Sequence, residues 1–163
     1  MIGRQFRLWE QGHPVLALAP QADAAGRTSG YFSLRNAHKA FIVCMITQGN
    51  AALVTLTPLQ AQDNAGTGSK ALSAAAPIVT DLDTVSSDTL AAIAAAVNFQ
   101  TDAAVKNKLV IFEIDPAESM DVNNGFDHIA IQTSASNAAN ITCALIELLP
   151  LRFQQQVPPS ATV

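Results

Sequence analysis

The residues of this chain best suited to chemistry lie close together in the stretch DVNNGFDHIAIQTSASNAANITCALIEL, Asp121 to Leu148. It holds Asp121, Asp127, His128, Ser134, Ser136 and Glu147. A hydrolytic triad needs a nucleophile, a base and an orienting carboxylate in contact. No serine here stands in a Gly-x-Ser-x-Gly elbow, and no glycine-rich oxyanion loop accompanies one. Asp127 and His128 are neighbours on a predicted strand, so regular alternation points them to opposite faces and keeps them from forming a dyad. His128 then reads as a half-buried strand histidine, and a small hydrolase built on it is the weakest functional reading. Glu113, Asp115, Glu118 and Asp121 surround a predicted turn. Paired carboxylates can serve glycoside hydrolysis or bind calcium. These lack the Asp-x-Asp-x-Asp-Gly spacing of a calcium loop, and a solvated turn accounts for them. Asp81 and Asp83 read the same way.

The remaining candidates are sparser. Cys44 and Cys143 each sit inside an apolar run and read as two buried free thiols, since free cysteine packs as a small hydrophobe. A disulfide between them requires their strands to face each other. Two cysteines do not make a zinc site without histidine, and His13, His38 and His128 show no ligand spacing. The string GTGSK resembles a phosphate loop but fails as one. Ser69 separates Gly68 from Lys70, and Ala71 stands where a magnesium-binding hydroxyl belongs. The expectation is a protein that is not an enzyme, with no catalytic residue, no metal and no cofactor.

Bulk properties point toward binding instead. Among 163 residues, 49% are hydrophobic and only 13% charged, against about 25% charged in ordinary soluble domains. So few charges suggest a surface partly covered by other protein. The net charge of -4 is unevenly spread. Residues 1–40 are mildly basic (Arg4, Arg7, Arg27, Arg35 and Lys39 against Glu10 and Asp23), and the rest is acidic. An acidic body without a concentrated basic face argues against nucleic acid as a partner. No apolar run reaches the length of a membrane helix. The N-terminal stretch lacks the apolar core of an export signal, so no membrane partner and no general export are expected.

The elements that position these residues read mostly as strands. YFSL (31–34), KAFIVCMITQ (39–48), AALVTLTPL (51–59), APIVTDLD (76–83), NKLVIFEIDP (107–116), FDHIAIQT (126–133) and ITCALIELL (141–149) are rich in β-branched and aromatic residues. The turn QGNA predicts a hairpin between 39–48 and 51–59. The last three strands predict an antiparallel meander. SSDTLAAIAAAVNF (86–99) predicts one short helix, with an extended surface segment as its competitor. The fold class is all-β: an antiparallel β-sandwich or jelly roll (31–149), an extended N-terminal arm (1–30) and a C-terminal tail (150–163). In the arms, Phe6, Arg7, Leu8, Trp9 and Phe153 are the candidate protein-interface residues. Phe6 and Trp9 could also stack on a sugar, but large aromatics are common anchors at protein interfaces.

The runs SGYFSLRNAHKAFIVCMITQGNAALVTLTPLQAQDNAGTGSKAL, DTVSSDTL and VNNGFDHIAIQTSASNAANITCALIEL resemble small virion proteins of tailed bacteriophages, including capsid decoration or cement proteins. The resemblance spans roughly residues 29–160. It implies a structural protein made in the host bacterial cytoplasm and placed on the phage head surface. Its partner would be the major capsid protein, and it would work as a homo-oligomer, a dimer or trimer. The alternative is a tail- or fibre-associated host-recognition module that binds carbohydrate; one Trp and one Tyr make a thin aromatic supply for it.

Overall fold

The structure is a computed structural model that describes residues 7–152 and 159–162. A short helix, α1 (Leu8–Gln11), leads into β1 (His13–Ala22). Then follow β2 (Arg27–Thr28), β3 (Phe32–Ser33), β4 (Ala37–Gln48), β5 (Thr55–Ala61), β6 (Lys70–Ala71), β7 (Ala76–Asp81), β8 (Ala91–Ala96), β9 (Phe99–Gln100) and β10 (Asn107–Ile114). A helical turn, α2 (Pro116–Ser119), and a single 3-10 turn at Val122–Asn124 precede β11 (His128–Thr133) and β12 (Asn140–Leu151). The strands form two antiparallel sheets, an all-β sandwich as expected. The first sheet runs β1-β12-β4-β10-β7-β8; the second runs β2-β11-β5-β6, with β3 on β11 and β9 on β5.

Alternation builds the core. Ile42, Cys44 and Ile46 of β4, Val110, Phe112 and Ile114 of β10, and Ala144, Ile146 and Leu148 of β12 point inward. They meet Leu56 of β5 and Ile129 and Ile131 of β11 in one apolar cluster. Each large aliphatic or aromatic side chain so buried contributes about 1.5–3 kcal/mol.

Several polar groups close one end of the sandwich. Lys108 is fully buried, and its Nζ donates to Gln48 Oε1 at 2.7 Å and to the carbonyls of Ala104 at 2.6 Å and Asp102 at 3.2 Å. It also pairs with Asp102 Oδ1 at 2.7 Å, which holds that carboxyl below its usual range. At the other corner of the first sheet, Asp23 is fully buried beside Arg27 and Thr142.

Several expectations about elements and their pairing are corrected. The 39–48 and 51–59 segments do not form a hairpin, because β4 lies in the first sheet and β5 in the second. The chain crosses the end of the sandwich instead: Asn50 N–H donates to Asn140 Oδ1, and Gly49 lies so close to the Ala139 carbonyl that a Cβ would sit 2.5 Å from its oxygen. The predicted meander is split in the same way, with β10 and β12 flanking β4 and β11 lying in the opposite sheet. Residues 86–99 hold no helix. Ala91–Ala96 is the edge strand β8, with a bulge opposite Pro77, which has no N–H to offer. Finally, much of the expected N-terminal arm belongs to the body, because β1 is hydrogen-bonded along β12. β12 runs two residues into the expected tail, and Pro159–Thr162 straps onto the body through Ser33 N–H to Ala161 O and Asn64 Nδ2 to Thr162 O.

Candidate functional site

Of the five candidate interface residues, Phe6 and Phe153 lie outside the described residues. Arg7 precedes α1 and pairs with Glu10 at 3.3 Å on the surface. Leu8 and Trp9 stand in α1, which buries none of its residues; Trp9 is 56% exposed. Gly12 then brings the chain against the outward side chains of Glu147 and Leu149 on β12. The exposed Trp9 therefore sits at the margin of the outer face of the first sheet.

That outer face was missed by motif reading. Registered pairs place Leu16, Leu145, Val43, Ile111, Val79 and Ala92 side by side, one from each strand in order across the whole sheet. None is fully buried, and Leu16 is 59% exposed. The neighbouring row holds Cys143, Met45 and Leu109. Outward faces of antiparallel sandwiches are ordinarily polar, because alternation sends polar residues to water. A signal was present in the sequence: FIVCMI is a continuous apolar run and ITCALIELL is broken only by Thr142 and Glu147, close to the pattern of strands covered on both faces.

Glu147 interrupts the apolar surface. Its Oε1 is buried with no hydrogen-bond partner among the described residues, and burial raises its pKa above the ordinary 4.5. A carboxyl raised in the folded state costs stability once it ionises; its favourable contribution exists below the unfolded value and disappears as pH rises through the folded one. Glu147→Gln is therefore expected to raise the urea midpoint at neutral pH and to leave it unchanged at pH near 3, where both forms are uncharged. Equal midpoints at neutral pH would contradict the reading.

The acid–base candidates converge differently from expectation. His128 Nδ1 lies 2.6 Å from Asp127 Oδ1, so the two do meet, contrary to strict alternation. The reason is local: Asp127 precedes the first residue of β11, outside the regular strand. Arg35 Nε donates to the other oxygen of Asp127 at 2.6 Å. His128 lines a cleft of about 360 Å³ together with His13, Ser33, Arg35, Asp63 and Asn64. Burial lowers the pKa of His13 from its ordinary value, which favours the neutral imidazole. Ser33 pairs with His128 in register, yet its Oγ accepts from Arg35 N–H, and no hydrogen bond joins it to His128 among the described residues. Among the described residues, the cleft lining contains no Phe, Tyr or Trp.

The other candidates hold the fold together. Ser134 Oγ accepts from Thr55 N–H, and Ser136 Oγ donates to Ala52 O. Asp115 caps α2, Glu113 pairs with Lys39 at 2.5 Å, and Asp121 pairs with Lys70 at 2.6 Å. Asp81 accepts from Asp83 N–H, and Asp83 pairs with Lys106. The GTGSK loop joins β5 to β6 with no helix after it, and Gly66 turns at φ +84° beneath the Tyr31 ring. Both thiols are free. Cys44 points to the core while Cys143 pairs with Met45 on the outer face, so adjacent strands carry them to opposite sides of one sheet.

No protein-family model matches the chain, and no curated protein does. Among solved structures, the chain is similar to the SPBc2 prophage-derived protein YomS at 9% identity, over 84% of this chain and 92% of that one, with a TM-score of 0.47. It is similar at 9% identity to a structure of Desmodium yellow mottle tymovirus, over 89% and 83% of the two chains, with a TM-score of 0.20. Likeness at these levels leaves the role of the chain to its own residues.

Proposed function

We propose that this chain is a non-enzymatic structural protein of a tailed-bacteriophage virion, a decoration or cement protein that binds the major capsid protein on the head surface. The observation that carries the reading is the apolar row across the outer face of the first sheet, with the exposed Trp9 at its margin. Such a face is the surface of a protein whose work is to be covered. The resemblance of the sequence to phage virion proteins supplies the setting. A cement protein acts by mass action: binding the assembled shell and not its free subunits stabilises the shell by the binding free energy. Many copies on a lattice multiply a modest contact.

Residues 1–11 provide the test, because α1 packs only lightly on the body. Deleting them is expected to leave the unfolding free energy, measured in urea, within about 1 kcal/mol of the full chain, since no residue of α1 is buried. Capsid occupancy should fall sharply, and Trp9→Ala alone should weaken binding by about 2 kcal/mol, roughly thirtyfold. Undiminished occupancy of the truncated form would remove the arm from the docking surface.

A further inference from the structure

Among the described residues, β8 is an edge strand guarded only by a bulge. Its six residues, AAIAAA, are exposed except for the partly buried Ala96. Natural edge strands are guarded by charge, proline, brevity or a covering segment, because their free N–H and C=O groups template pairing with another chain. From Thr84 to Thr101 the chain carries one charge, Asp88. A bulge sits opposite Pro77 at Ala94–Ala95, but Ala91, Ala92 and Ile93 remain in regular register with β7. The core side of β8 at Ile93 is left partly open. Ile93 faces the core side beside Ile78, yet it is 39% exposed where Ile78 is buried. Leu90 and Val85, close by in the chain, are 49% and 77% exposed. Alanine has little preference for strands, so this edge gains little from its own side chains.

We infer that β8 pairs with β8 of a second copy of this chain, antiparallel across a two-fold axis near Ala92. The choice of a second copy rests on self-complementarity. An isologous contact sets each residue of the strand against its own neighbours, so any charge meets a like charge. This strand has none, and its only large side chain is Ile93. Pairing about Ala92 places Ala91 of one copy opposite Ile93 of the other. Directly opposed residues share a face, so both Ile93 side chains lie on the core side. There they complete the partly open core side of each sandwich. The two six-stranded sheets become one of twelve, and the apolar outer row continues through Ala92 from one copy into the next. This contact does not depend on the phage reading.

The test is the mass of the full chain in solution by light scattering, with hydrogen exchange read at Ala91–Ile93. The expected result is twice the 17.1 kDa chain mass, with slow exchange at these amides. Ile93→Lys and Ala92→Glu, both at exposed positions, should give folded monomers with fast exchange there. A wild-type chain that stays monomeric up to millimolar concentration would overturn the inference. So would a dimer that survives both β8 substitutions but is lost in Val43→Glu, which would assign self-association to the outer sheet face. Pairing of β8 with the capsid protein instead would appear as exchange protection at Ala91–Ile93 only on capsids, and would equally overturn it.

Discussion

Asp23→Ala is expected to lower the stability of the folded chain by about 3–5 kcal/mol, the cost of breaking a buried ion pair from one side. Asp23 follows β1 at the corner where the chain leaves the first sheet for the second. Its Oδ2 accepts from Thr142 Oγ1 at 2.5 Å, and its Oδ1 accepts from Arg27 Nη2 at 3.1 Å. Its backbone is held as well, by Asn140 O and by Ser136 N–H. The carboxylate is fully buried, and the Arg27 guanidinium is largely so. Without Asp23 the guanidinium keeps three carbonyl acceptors, those of Ala19, Gln21 and Thr142, but loses its counter-charge. Arg27→Ala leaves the opposite orphan, a buried carboxylate with only a hydroxyl donor. A double-mutant cycle by urea denaturation should give a coupling of about 1–3 kcal/mol between the two. Additive losses would mean that each residue acts through its backbone contacts alone.

Lys108→Ala is expected to cost about 2–4 kcal/mol, from buried acceptors left unpaired and lost packing of the aliphatic stem. The ammonium ties Gln48, the last residue of β4, to Asp102 and Ala104 of the β9–β10 connection at one end of the sandwich. Gln48 Nε2 also donates to the Asp102 carbonyl at 2.8 Å, a second link between the same residues. Lys108→Met keeps the stem and loses the charge. It should recover part of the packing but not the hydrogen bonds, and amides of residues 101–106 should exchange faster than in the parent. Asp102→Asn removes only a half-exposed carboxylate and should cost far less. If Lys108→Met matches the parent in urea midpoint and exchange, Lys108 contributes packing only.

The class of fold was legible because alternation is a property of single strands. β4, β10 and β11 fall within a few residues of the runs that announce them. Pairing was less legible, since partners depend on how sheets stack. The QGNA turn has the composition of a hairpin, yet Gln48 turns inward to Lys108 and the chain passes to the other sheet. The alanines of 91–96 are good helix formers, but so short a segment gains a hydrogen-bonded neighbour in β7 that a lone helix would lack. Asp127 and His128 meet because alternation applies inside a strand and not at its first residue. Trp9 was visible as a loose aromatic; the apolar row beside it was visible only as runs with too little alternation.

The central claim, that this protein is built to be covered by capsid subunits, is tested most directly by imaging. Capsids assembled without the protein are mixed with the purified full chain and examined by cryo-electron microscopy. The account predicts regular density at fixed positions on the lattice, with the outer face of the first sheet and the α1 arm turned toward the shell. Bare capsids at saturating protein, or density with that face turned to solvent, would contradict it.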